Sequence, residues 1–279
     1  MSQNILVYKI SHSAVEQLHF DLPNFDSITM ELPAGLYTTF RTYSDRTKVI
    51  GLHAHLDRLY LPAKARGING TFNQDQLRML LADLLKPLAP YEARVRIILD
   101  MYKEVGEIYV LLQPLQTLPS EVYQGGVRVD IWRGSRDKPL LKQTAFIGES
   151  SSERKRIQGE TFEILLTHNG RILEGMTSNF FYVRDGELYT AGRGVLSGVT
   201  RETVIMIAQQ AGIRVRYKAL SLHEIPEIDE AFITSSSRGV VPVAQIIDQP
   251  VGKGKVGKTT KQFIDLFERK ISDIVESIL

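Results

Sequence analysis

The chain has 279 residues, of which 43% are hydrophobic and 24% are charged, with a formal net charge of +2 and no cysteine. This length and composition are ordinary for one large or two medium globular domains. The near-zero net charge gives no bulk electrostatic attraction to nucleic acid or to an anionic membrane surface. The lack of cysteine excludes disulfides, thiolate catalysis and thiolate metal ligands.

The beginning of the sequence shows no targeting pattern. The segment Met1–Ile5 has no basic stretch followed by a long apolar one, so we expect no signal peptide. No apolar run in the sequence approaches the roughly 20 residues that span a bilayer. We therefore predict a cytoplasmic protein without membrane or nucleic-acid partners.

The first half of the chain is predicted to form strands and helices in turn. Runs rich in β-formers on either side of a polar turn predict a hairpin, apolar residues at helical spacing predict two helices, and two further apolar runs predict a strand pair. These elements cover residues 36–43 and 49–52, residues 55–65 and 74–85, and residues 93–99 and 107–112. Pro62 weakens or kinks the first helix, and a stretch rich in proline and glycine places a domain boundary at residues 121–126.

The second half is predicted to be mainly β-structure with two helices. Asn169-Gly170 and Asp185-Gly186 are turn signals between apolar runs, and each predicts a hairpin. The predicted strands cover residues 127–132, 161–166, 172–173, 180–183, 188–189, 231–234 and 243–247. Helices are predicted over residues 200–210 and over residues 258–279.

Three features of the second half together predict a site for pyridoxal phosphate (PLP). Lys142 can form a Schiff base, and Glu174, which follows the first hairpin signal, can face a pyridinium nitrogen. Residues 196–201, with the sequence Leu-Ser-Gly-Val-Thr-Arg, lead into a helix whose N-terminus can hold a phosphate. Each feature alone is common, so their order along the chain is what indicates the site.

The strings Glu174–Phe181 and Leu196–Arg201, in this order after Lys142, resemble those of fold-type IV PLP enzymes. This family includes branched-chain aminotransferases, D-amino acid aminotransferases and aminodeoxychorismate lyases. The resemblance extends from Leu36 to the C-terminus, is strongest over residues 141–242, and is weak before Leu36.

The resemblance also implies an architecture, namely an α/β (α+β) fold of two domains with the cofactor between them, in a homodimer. The N-terminal domain would be an α/β sandwich over residues 1–120. The C-terminal domain would be a mixed β-barrel-like fold with helices over residues 127–279. Residues 121–126 would form the linker.

Lys142 occupies the position of the family's Schiff-base lysine, so the resemblance implies that it is the catalytic residue. Burial and nearby cations lower the pKa of such a lysine, and the neutral amine then moves the proton between substrate and cofactor. Glu174 matches the acid that keeps the pyridine nitrogen protonated. Lys155 is the rival lysine, but its neighbours Arg154 and Arg156 indicate a solvated helical face.

The same resemblance implies how the phosphate and the ring of PLP are bound. Arg58, in the string His55–Leu59, matches a phosphate-binding arginine, whose planar fork suits a phosphate. The remaining implied contacts are Val199 and Thr200 at a helix N-terminus, Ser236 as a second hydroxyl contact to the phosphate, and Leu196 packed on the ring.

Substrates of all three enzyme groups are carboxylates, so an arginine is expected in the substrate pocket. Tyr37 matches an aromatic position of that pocket, and the candidate arginines are Arg41, Arg94 and Arg96. Arg94 and Arg96 are alternate residues of one predicted strand and would face the same side. An arginine pair on a solvated sheet surface would look the same in the sequence, and we favour Arg96 and Arg41.

The subfamily stays open. Thr38-Thr39 stands where the aminotransferases usually carry glutamate and resembles the lyase, whereas Thr200 resembles the aminotransferases. Ile147 stands where branched-chain enzymes tend to carry tyrosine. We predict transfer of an amino group between an amino acid and a 2-oxo acid, with pyruvate elimination by an aminodeoxychorismate-type lyase as the alternative. The side chain and the L or D form of the substrate depend on pocket segments that diverge from the family.

Two other motifs compete with this interpretation. Gly252–Thr259 matches the phosphate-loop pattern of nucleotide-binding proteins, but the chain after Thr259 is too short to complete a doubly wound sheet. His53 and His55 could form a metal pair on a strand, yet no third ligand is evident and no metal site is predicted. An inactive PLP-binding relative is a further alternative, given the divergent N-terminal segment.

Overall fold

The structure, a computed structural model, describes residues 5–279. Residues 1–4, which belong to the segment considered for a signal peptide, lie outside this range. None of the helices within residues 5–279 is long and apolar enough to cross a membrane.

Strands and helices alternate in the first half of the chain, and strands predominate in the second. In chain order the strands are β1 Leu6–Ile10, β2 Val15–Leu18, β3 Gly35–Arg41, β4 Lys48–Ile50, β5 Ala93–Asp100, β6 Ile108–Pro114, β7 Val127–Arg133, β8 Thr161–His168, β9 Arg171–Gly175, β10 Asn179–Arg184, β11 Glu187–Thr190, β12 Val215–Tyr217, β13 Leu220–Ser221, β14 Glu230–Ser235, β15 Gly239–Ile246, β16 Gln249–Pro250 and β17 Val275–Ser277. The α-helices are α1 Phe25–Glu31, α2 Leu52–Lys64, α3 Gln74–Leu84, α4 Ser120–Gly125, α5 Ala145–Glu149, α6 Ser151–Arg154, α7 Val199–Gln210 and α8 Lys258–Ile274. Short 3-10 helices cover Lys86–Leu88 and Leu222–Glu227.

Contacts between residues group the chain into two compact units. Unit 1 comprises Met1–Gln116, Leu141–Glu149 and Asp273–Leu279, and unit 2 comprises Thr117–Leu140 and Ser150–Ser272. The chain therefore leaves unit 1, returns to it around Lys142, and ends in it. The predicted domains 1–120 and 127–279 with their linker stay a prediction, since a grouping of contacts does not test independent folding.

Unit 1 is built on a five-stranded antiparallel sheet with the strand order β2-β1-β6-β5-β3. Because successive residues of a strand face opposite sides, β3 contributes to two apolar layers. Leu36 and Phe40 lie in the layer that contains the buried residues of α2 and α3. Tyr37 lies in the other layer, with Phe25 and Ile28 of α1. Both faces of the sheet are thus covered, which is why nearly every residue of β5 and β6 is buried.

Helices α2 and α3 were predicted, and their starts have clear local causes. α2 begins at Leu52 because Gly51 takes a left-handed conformation (φ 61) and turns the chain directly from β4 into the helix. Pro62 is accommodated in the last turn of α2. α3 begins with a capping box in which Asn73 and Gln76 each accept a hydrogen bond from the other's backbone N–H.

Two predictions for unit 1 are partly wrong. The hairpin of residues 36–43 and 49–52 is reduced to one bridge between Tyr43 and Lys48, and β4 pairs along its length with β17 instead. The terminal helix ends at Ile274 rather than at residue 279. The reason is burial and pairing, because β17 completes the ladder with β4 and Ile278 enters the apolar core of unit 1.

Unit 2 contains a closed, mixed barrel of six strands. The strand order is β10-β14-β15-β7-β8-β9, and a pair between Glu174 of β9 and Asn179 of β10 closes the ring. β7 pairs in parallel with both β8 and β15. Every one of the six strands contributes to one apolar core, for example through Val129, Leu165, Ile172, Phe180, Ile233 and Val241. Closure removes the free sheet edges that would otherwise invite non-native pairing.

Helices α7 and α8 cover β10 and β14 on the other side from this core. α7 lies against β14. Phe181 and Phe232 stack with ring centroids 5.0 Å apart, and Phe263 of α8 packs on Phe232 at 5.5 Å. This packing places the N-terminus of α7 near the ends of β10 and β14.

Candidate active site

The backbone of Lys142 is held along the start of strand β3 in unit 1. Its carbonyl oxygen accepts a hydrogen bond of 2.8 Å from the N–H of Tyr37, and the N–H of Thr144 donates to the carbonyl oxygen of Gly35 at 2.9 Å. The Thr144 hydroxyl accepts from the N–H of Gly35, also at 2.9 Å. A side chain at position 35 has no room, because its Cβ would lie 2.0 Å from the carbonyl oxygen of Leu99. The strand that Lys142 follows therefore requires glycine at this point.

The amine of Lys142 has an aromatic ring and a neutral histidine as neighbours. Nζ lies 5.1 Å from the centroid of the Tyr37 ring. The imidazole of His55 is fully buried, with Nδ1 2.6 Å from the Thr38 hydroxyl oxygen. Burial, followed by the charges of Arg58 and Lys142, lowers the pKa of His55 well below its usual value, so the ring is neutral near pH 7. His55 therefore adds no positive charge beside Lys142 and Arg58.

Arg58, the predicted phosphate ligand, is half-buried on α2. It follows His55 by three positions, so the two side chains lie on the same face of the helix. After burial, the positive charge of Arg58 is the next cause of the lowered pKa of His55. The structure thus places Arg58, His55 and Lys142 in one region of unit 1.

The predicted substrate residues lie on one face of the sheet of unit 1. The register pairs Thr39 with Arg96 and Arg41 with Arg94. Arg94 and Arg96 face the same side, as predicted, and both guanidinium groups lie over the ring of Phe25, at 5.0 and 5.4 Å.

The structure brings Arg96 and Tyr37 together and gives Arg41 a different neighbour. The guanidinium of Arg96 lies 5.0 Å from the Tyr37 ring centroid, and its side chain forms an ion pair of 2.8 Å with Asp26. Arg41 instead stacks on the ring of Tyr43 at 4.5 Å. The charge of Arg96 is therefore partly compensated before any substrate binds.

Glu174 is buried at the pair that closes the barrel of unit 2. Its carboxylate accepts hydrogen bonds from Nε of Arg136 at 2.8 Å, from the backbone N–H of Leu196 at 3.0 Å and from the side-chain amide of Asn179 at 3.4 Å. Because a carboxylate offers about four acceptor positions, one position is left for a further donor. A protonated pyridine nitrogen is a donor of this kind.

Arg136 is a site residue that sequence reasoning missed. Its side chain is buried, and besides Glu174 it binds the carbonyl oxygen of Met176, to which Nη2 donates at 2.9 Å. The residue lies in the polar loop that follows β7 and leads to Lys142. No local signal in that loop distinguishes a buried arginine from an exposed one.

Asn179 is a second residue whose role the sequence reasoning did not assign. Its side-chain amide donates to the carbonyl oxygen of Leu196 at 2.8 Å as well as to Glu174. Its Oδ1 leaves no space for a side chain on Gly198, where an added Cβ would lie 2.0 Å away. Asn179 thus connects Glu174, the predicted ring-facing acid, with the turn before α7. In the sequence, the polar string Thr177-Ser178-Asn179 directly after Glu174 was the signal that could have pointed to this role.

Val199 and Thr200 open helix α7, as predicted. The residue before them, Gly198, has no side chain to cap the free N–H groups of the first turn. The Thr200 and Ser236 hydroxyl oxygens are 3.5 Å apart, so the structure brings these two predicted phosphate contacts together. Leu196 is buried, and its backbone N–H donates to the carboxylate of Glu174.

Unit 2 also contains a buried hydroxyl whose capacity for hydrogen bonds is unused. Among residues 5–279, Oγ1 of Thr234 is buried without a hydrogen-bond partner. Thr234 lies opposite Asn179 in the β10–β14 ladder, so the two side chains share a face. An unsatisfied buried hydroxyl is costly. Together with the open acceptor position of Glu174 and the N-terminus of α7, it gives unit 2 the donors and acceptors that a ring nitrogen and a phosphate need.

The phosphate-loop pattern at Gly252–Thr259 has another role. The carboxylate of Glu230 accepts hydrogen bonds from the N–H groups of Thr259 at 3.0 Å and Thr260 at 2.6 Å. An acid therefore already occupies the N-terminus of α8, where it would repel a phosphate. This arrangement supports the rejection of a nucleotide loop.

The other candidates from the sequence have different surroundings from those predicted. His53 and His55 are on helix α2 rather than on a strand, and Nε2 of His53 lies 3.1 Å from the carboxylate of Asp57. Lys155, the rival lysine, is exposed at the end of α6.

Known proteins share both the sequence pattern and the fold of this chain. The amino-transferase class IV family matches residues 35–246. The chain is 29% identical to a probable branched-chain-amino-acid aminotransferase of Thermotoga maritima over 91% of this chain and 92% of that protein. It is 26% identical to a D-alanine aminotransferase of Bacillus licheniformis over 81% and 84%. The solved structure of a putative branched-chain amino acid aminotransferase of Thermotoga maritima superposes with a TM-score of 0.80 at 26% identity, covering 96% of each chain.

These findings show that the protein is a fold-type IV enzyme with PLP as its cofactor. Because the family match spans well over half of its residues, the chain belongs to the amino-transferase class IV family. The predicted family and enzyme class are confirmed. The predicted fold class, a mixed α/β structure with a mixed barrel in its C-terminal part, is also confirmed.

Proposed function

We propose that this protein transfers an amino group between an amino acid and a 2-oxo acid. The observation that carries the proposal is the buried Glu174 carboxylate, which three donors orient while one acceptor position stays open. When bound, PLP supplies an aldehyde that takes up the amino group and a ring that withdraws electrons from the substrate carbon. Glu174 would accept the hydrogen bond of the ring nitrogen.

Lys142 is the residue to which we assign the covalent attachment of the cofactor and the movement of the proton. Its Nζ would hold the proton near the face of the Tyr37 ring, which attracts a cation, and would release it to the reacting carbon. The neutral His55 supports this exchange, because a second cation there would oppose protonation of the amine. The fixed backbone of Lys142 along β3 limits the positions that Nζ can reach.

The phosphate and the ring have separate sets of proposed contacts. The free N–H groups at the start of α7 favour an anion, and the Thr200 and Ser236 hydroxyls are close enough to bind the same phosphate. The proposed cofactor contacts are Arg58, Val199, Thr200 and Ser236 to the phosphate, Glu174 to the ring nitrogen and Leu196 to the ring face.

Arg41, Arg96 and Tyr37 are the residues that we propose for the substrate. Two solved structures of a related branched-chain amino acid aminotransferase, each at 19% identity, are complexes with N-(5'-phosphopyridoxyl)-L-glutamate and with 4-methylvaleric acid. Arginine side chains on the sheet face that carries Tyr37 are suited to bind carboxylates of this kind. The homodimer and the cytoplasmic location stay predictions.

The visible absorbance spectrum of the purified protein tests this proposal. We expect a band of bound PLP that shifts to the pyridoxamine form when an amino-acid donor is added and returns with a 2-oxo acid. Separate additions of L and D donors, with aliphatic and acidic side chains, then identify the substrate. Lys142→Ala should abolish the shift, while Lys155→Ala, which alters an exposed lysine, should leave it unchanged.

The lyase alternative has a distinct outcome in the same experiment. Release of pyruvate without a donor-dependent shift of the band would favour the lyase that Thr38-Thr39 resembles. No band at all after addition of PLP, or an unchanged shift in Lys142→Ala, would contradict the proposed function.

A further inference from the structure

A buried acid of unit 2 lies beside the proposed cofactor contacts without being one of them. Glu163 of β8 is fully buried, and its carboxylate accepts hydrogen bonds from the hydroxyls of Thr177 and Ser178, the second at 3.1 Å. Nη2 of Arg238 donates to the same carboxylate at 3.3 Å. Glu163, Thr177, Ser178 and Arg238 are named the Glu163 network below.

The Glu163 network joins two turns of unit 2. Thr177 lies in the turn between β9 and β10, just after Glu174. Arg238 lies in the turn between β14 and β15, together with Ser236. Across the gap between these turns, Nη2 of Arg238 donates to the Thr177 hydroxyl at 2.6 Å, while its Nε donates to the hydroxyl of Ser235 at 3.0 Å. One guanidinium group therefore binds both turns.

The turn after Glu174 has little freedom to move independently of Glu163. The N–H of Gly175 donates to the carbonyl oxygen of Ser178 at 2.8 Å. A Cβ added to Gly175 would lie 2.1 Å from the Ser178 hydroxyl and 3.1 Å from Cγ of Glu163. With contacts this close, a displaced Glu163 side chain would displace the turn that carries Glu174.

The charges of the Glu163 network favour a positioning role over ligand binding. The carboxylate of Glu163 and the guanidinium of Arg238 compensate each other, and the guanidinium also lies over the Phe162 ring at 5.2 Å. Glu163 is fully buried whereas Arg238 is partly exposed, and a buried carboxylate of this kind is costly to leave without its charged partner. Such a pair is well suited to holding two turns in one arrangement.

We propose that Glu163 and Arg238 are positioning residues that keep the turn of Glu174 and the turn of Ser236 in register for one cofactor molecule. This inference rests on the proposed function, in which Glu174 meets the ring and Ser236 meets the phosphate. A shift of the Ser236 turn relative to the Glu174 turn would then weaken the phosphate contact while the ring contact is kept.

The test compares PLP with pyridoxal, which lacks the phosphate. Each compound is titrated into the full-length apoprotein, and the dissociation constant is taken from the visible absorbance. For Arg238→Met we expect PLP binding to weaken roughly 10- to 100-fold, the range known for loss of a residue that orients a metal ligand, taken here as the scale for a residue that orients a cofactor contact. Pyridoxal binding should change much less. Glu163→Gln should behave similarly to Arg238→Met, because glutamine keeps the size of the side chain that packs on the turn of Glu174 and removes only the charge that pairs with Arg238.

Two further variants serve as controls. Arg238→Lys keeps a cation for Glu163 and should therefore retain part of the PLP affinity that Arg238→Met loses. If thermal unfolding shows that Arg238→Met does not fold, Arg238→Lys is measured in its place. Arg216→Met removes an exposed arginine of unit 2 that pairs with Glu187 at 2.9 Å, and it should bind PLP as the unchanged protein does.

The outcome separates this inference from the proposed function. The positioning role would be overturned if Arg238→Met and Glu163→Gln both weakened the binding of PLP and of pyridoxal equally. It would also be overturned if neither variant weakened the binding of PLP. Ser236→Ala is measured in parallel. If it leaves the ratio of the two dissociation constants unchanged, the assigned role of Ser236 fails and this inference fails with it. If Ser236→Ala changes the ratio and Arg238→Met does not, only this inference fails.

Discussion

Glu174 shows how a single side chain comes to be oriented by parts of the chain that are distant in sequence. Arg136 comes from the loop after β7, Leu196 from the turn before α7, and Asn179 from the start of β10, and all three donate to its carboxylate. A buried charge needs such partners, because burial without them is very unfavourable. The orientation of this acid is therefore a property of the folded unit.

Loss of the Arg136 guanidinium should destabilise the protein strongly. We expect Arg136→Met to lower the free energy of unfolding by about 3–5 kcal/mol, because it leaves the buried Glu174 carboxylate without its charged partner. Urea unfolding monitored by circular dichroism measures this change. The double variant Arg136→Met/Glu174→Gln should recover much of the loss, and a loss below about 1 kcal/mol in the single variant would be the behaviour of a surface pair.

At the scale of elements, α7 and α8 each follow a turn that could bind a phosphate, but only the N-terminus of α8 is capped by an acid. α8 follows a sequence that matches a phosphate loop, yet Glu230 supplies a carboxylate to its first N–H groups. α7 follows a less distinctive turn, and Gly198 supplies no side-chain cap. An anion is favoured only where the helix N-terminus is not already bonded to an acid.

The cap on α8 is testable through stability. Glu230→Ala should lower the free energy of unfolding by about 1 kcal/mol, the typical cost of removing a helix cap. Asp265→Ala changes an exposed acid in the middle of α8 and is the matched control, for which we expect a change within about 0.5 kcal/mol. Equal stability of the two variants would show that the Glu230 hydrogen bonds contribute nothing.

The turn before α7 should not tolerate even one added carbon. In Gly198→Ala the new Cβ would lie 2.0 Å from Oδ1 of Asn179, although φ at this position is −71° and suits alanine. We expect a loss of about 1–3 kcal/mol in unfolding free energy from this overpacking. Gly125→Ala, where nothing lies within 4 Å of the added atom, is the control and should be nearly neutral. A neutral Gly198→Ala would mean that Asn179 can move away.

For the whole molecule, the buried His55 makes stability depend on pH. Its pKa in the folded protein lies well below the ordinary value of 6.5 because of burial and the charges of Arg58 and Lys142. Below that ordinary value the unfolded chain binds a proton at His55 that the folded protein does not bind. Unfolding therefore takes up a proton, and acidification favours the unfolded state.

We expect the free energy of unfolding to fall by up to about 1.4 kcal/mol per pH unit from this residue as pH drops below 6.5. Chemical unfolding of the apoprotein at pH 7, 6 and 5 measures the slope. His55→Gln should flatten it, and His53→Gln, which changes a largely exposed imidazole, should not. An unchanged slope in His55→Gln would show that His55 does not remain neutral in the folded protein.

Acidic residues should add to this dependence at lower pH. Hydrogen bonds from Lys218 and from the backbone N–H of Ser221 lower the pKa of Glu224 to about 2. A carboxylate with a lowered pKa stabilises the folded protein above its ordinary pKa and loses that contribution as it becomes protonated. The effect of Glu224 therefore begins at a lower pH than that of His55, near the ordinary glutamate pKa of 4.5 rather than near 6.5.

The elements that the sequence predicted well are those whose signals are local. Asn169-Gly170 and Asp185-Gly186 do form hairpin turns, with both glycines at positive φ. The helix at residues 200–210 starts one residue earlier, at Val199. By contrast, no element was predicted in the first 35 residues, where β1, β2 and α1 form. The pairing of β4 with β17 was also missed, because it joins segments that are far apart in the sequence.

The sequence by itself determined the family and the cofactor class, because Lys142, Glu174 and the turn at residues 196–201 belong to short strings that can be recognised without knowing the fold. It also determined the order of the main elements, whose signals are local. Tertiary structure alone decided the hydrogen bonds that orient these groups. The closing pair of Glu174 and Asn179, the buried Arg136 and the link from Glu163 to Arg238 all join residues from different strands and loops. Such contacts depend on how the barrel closes, and barrel closure is a property of all six strands together.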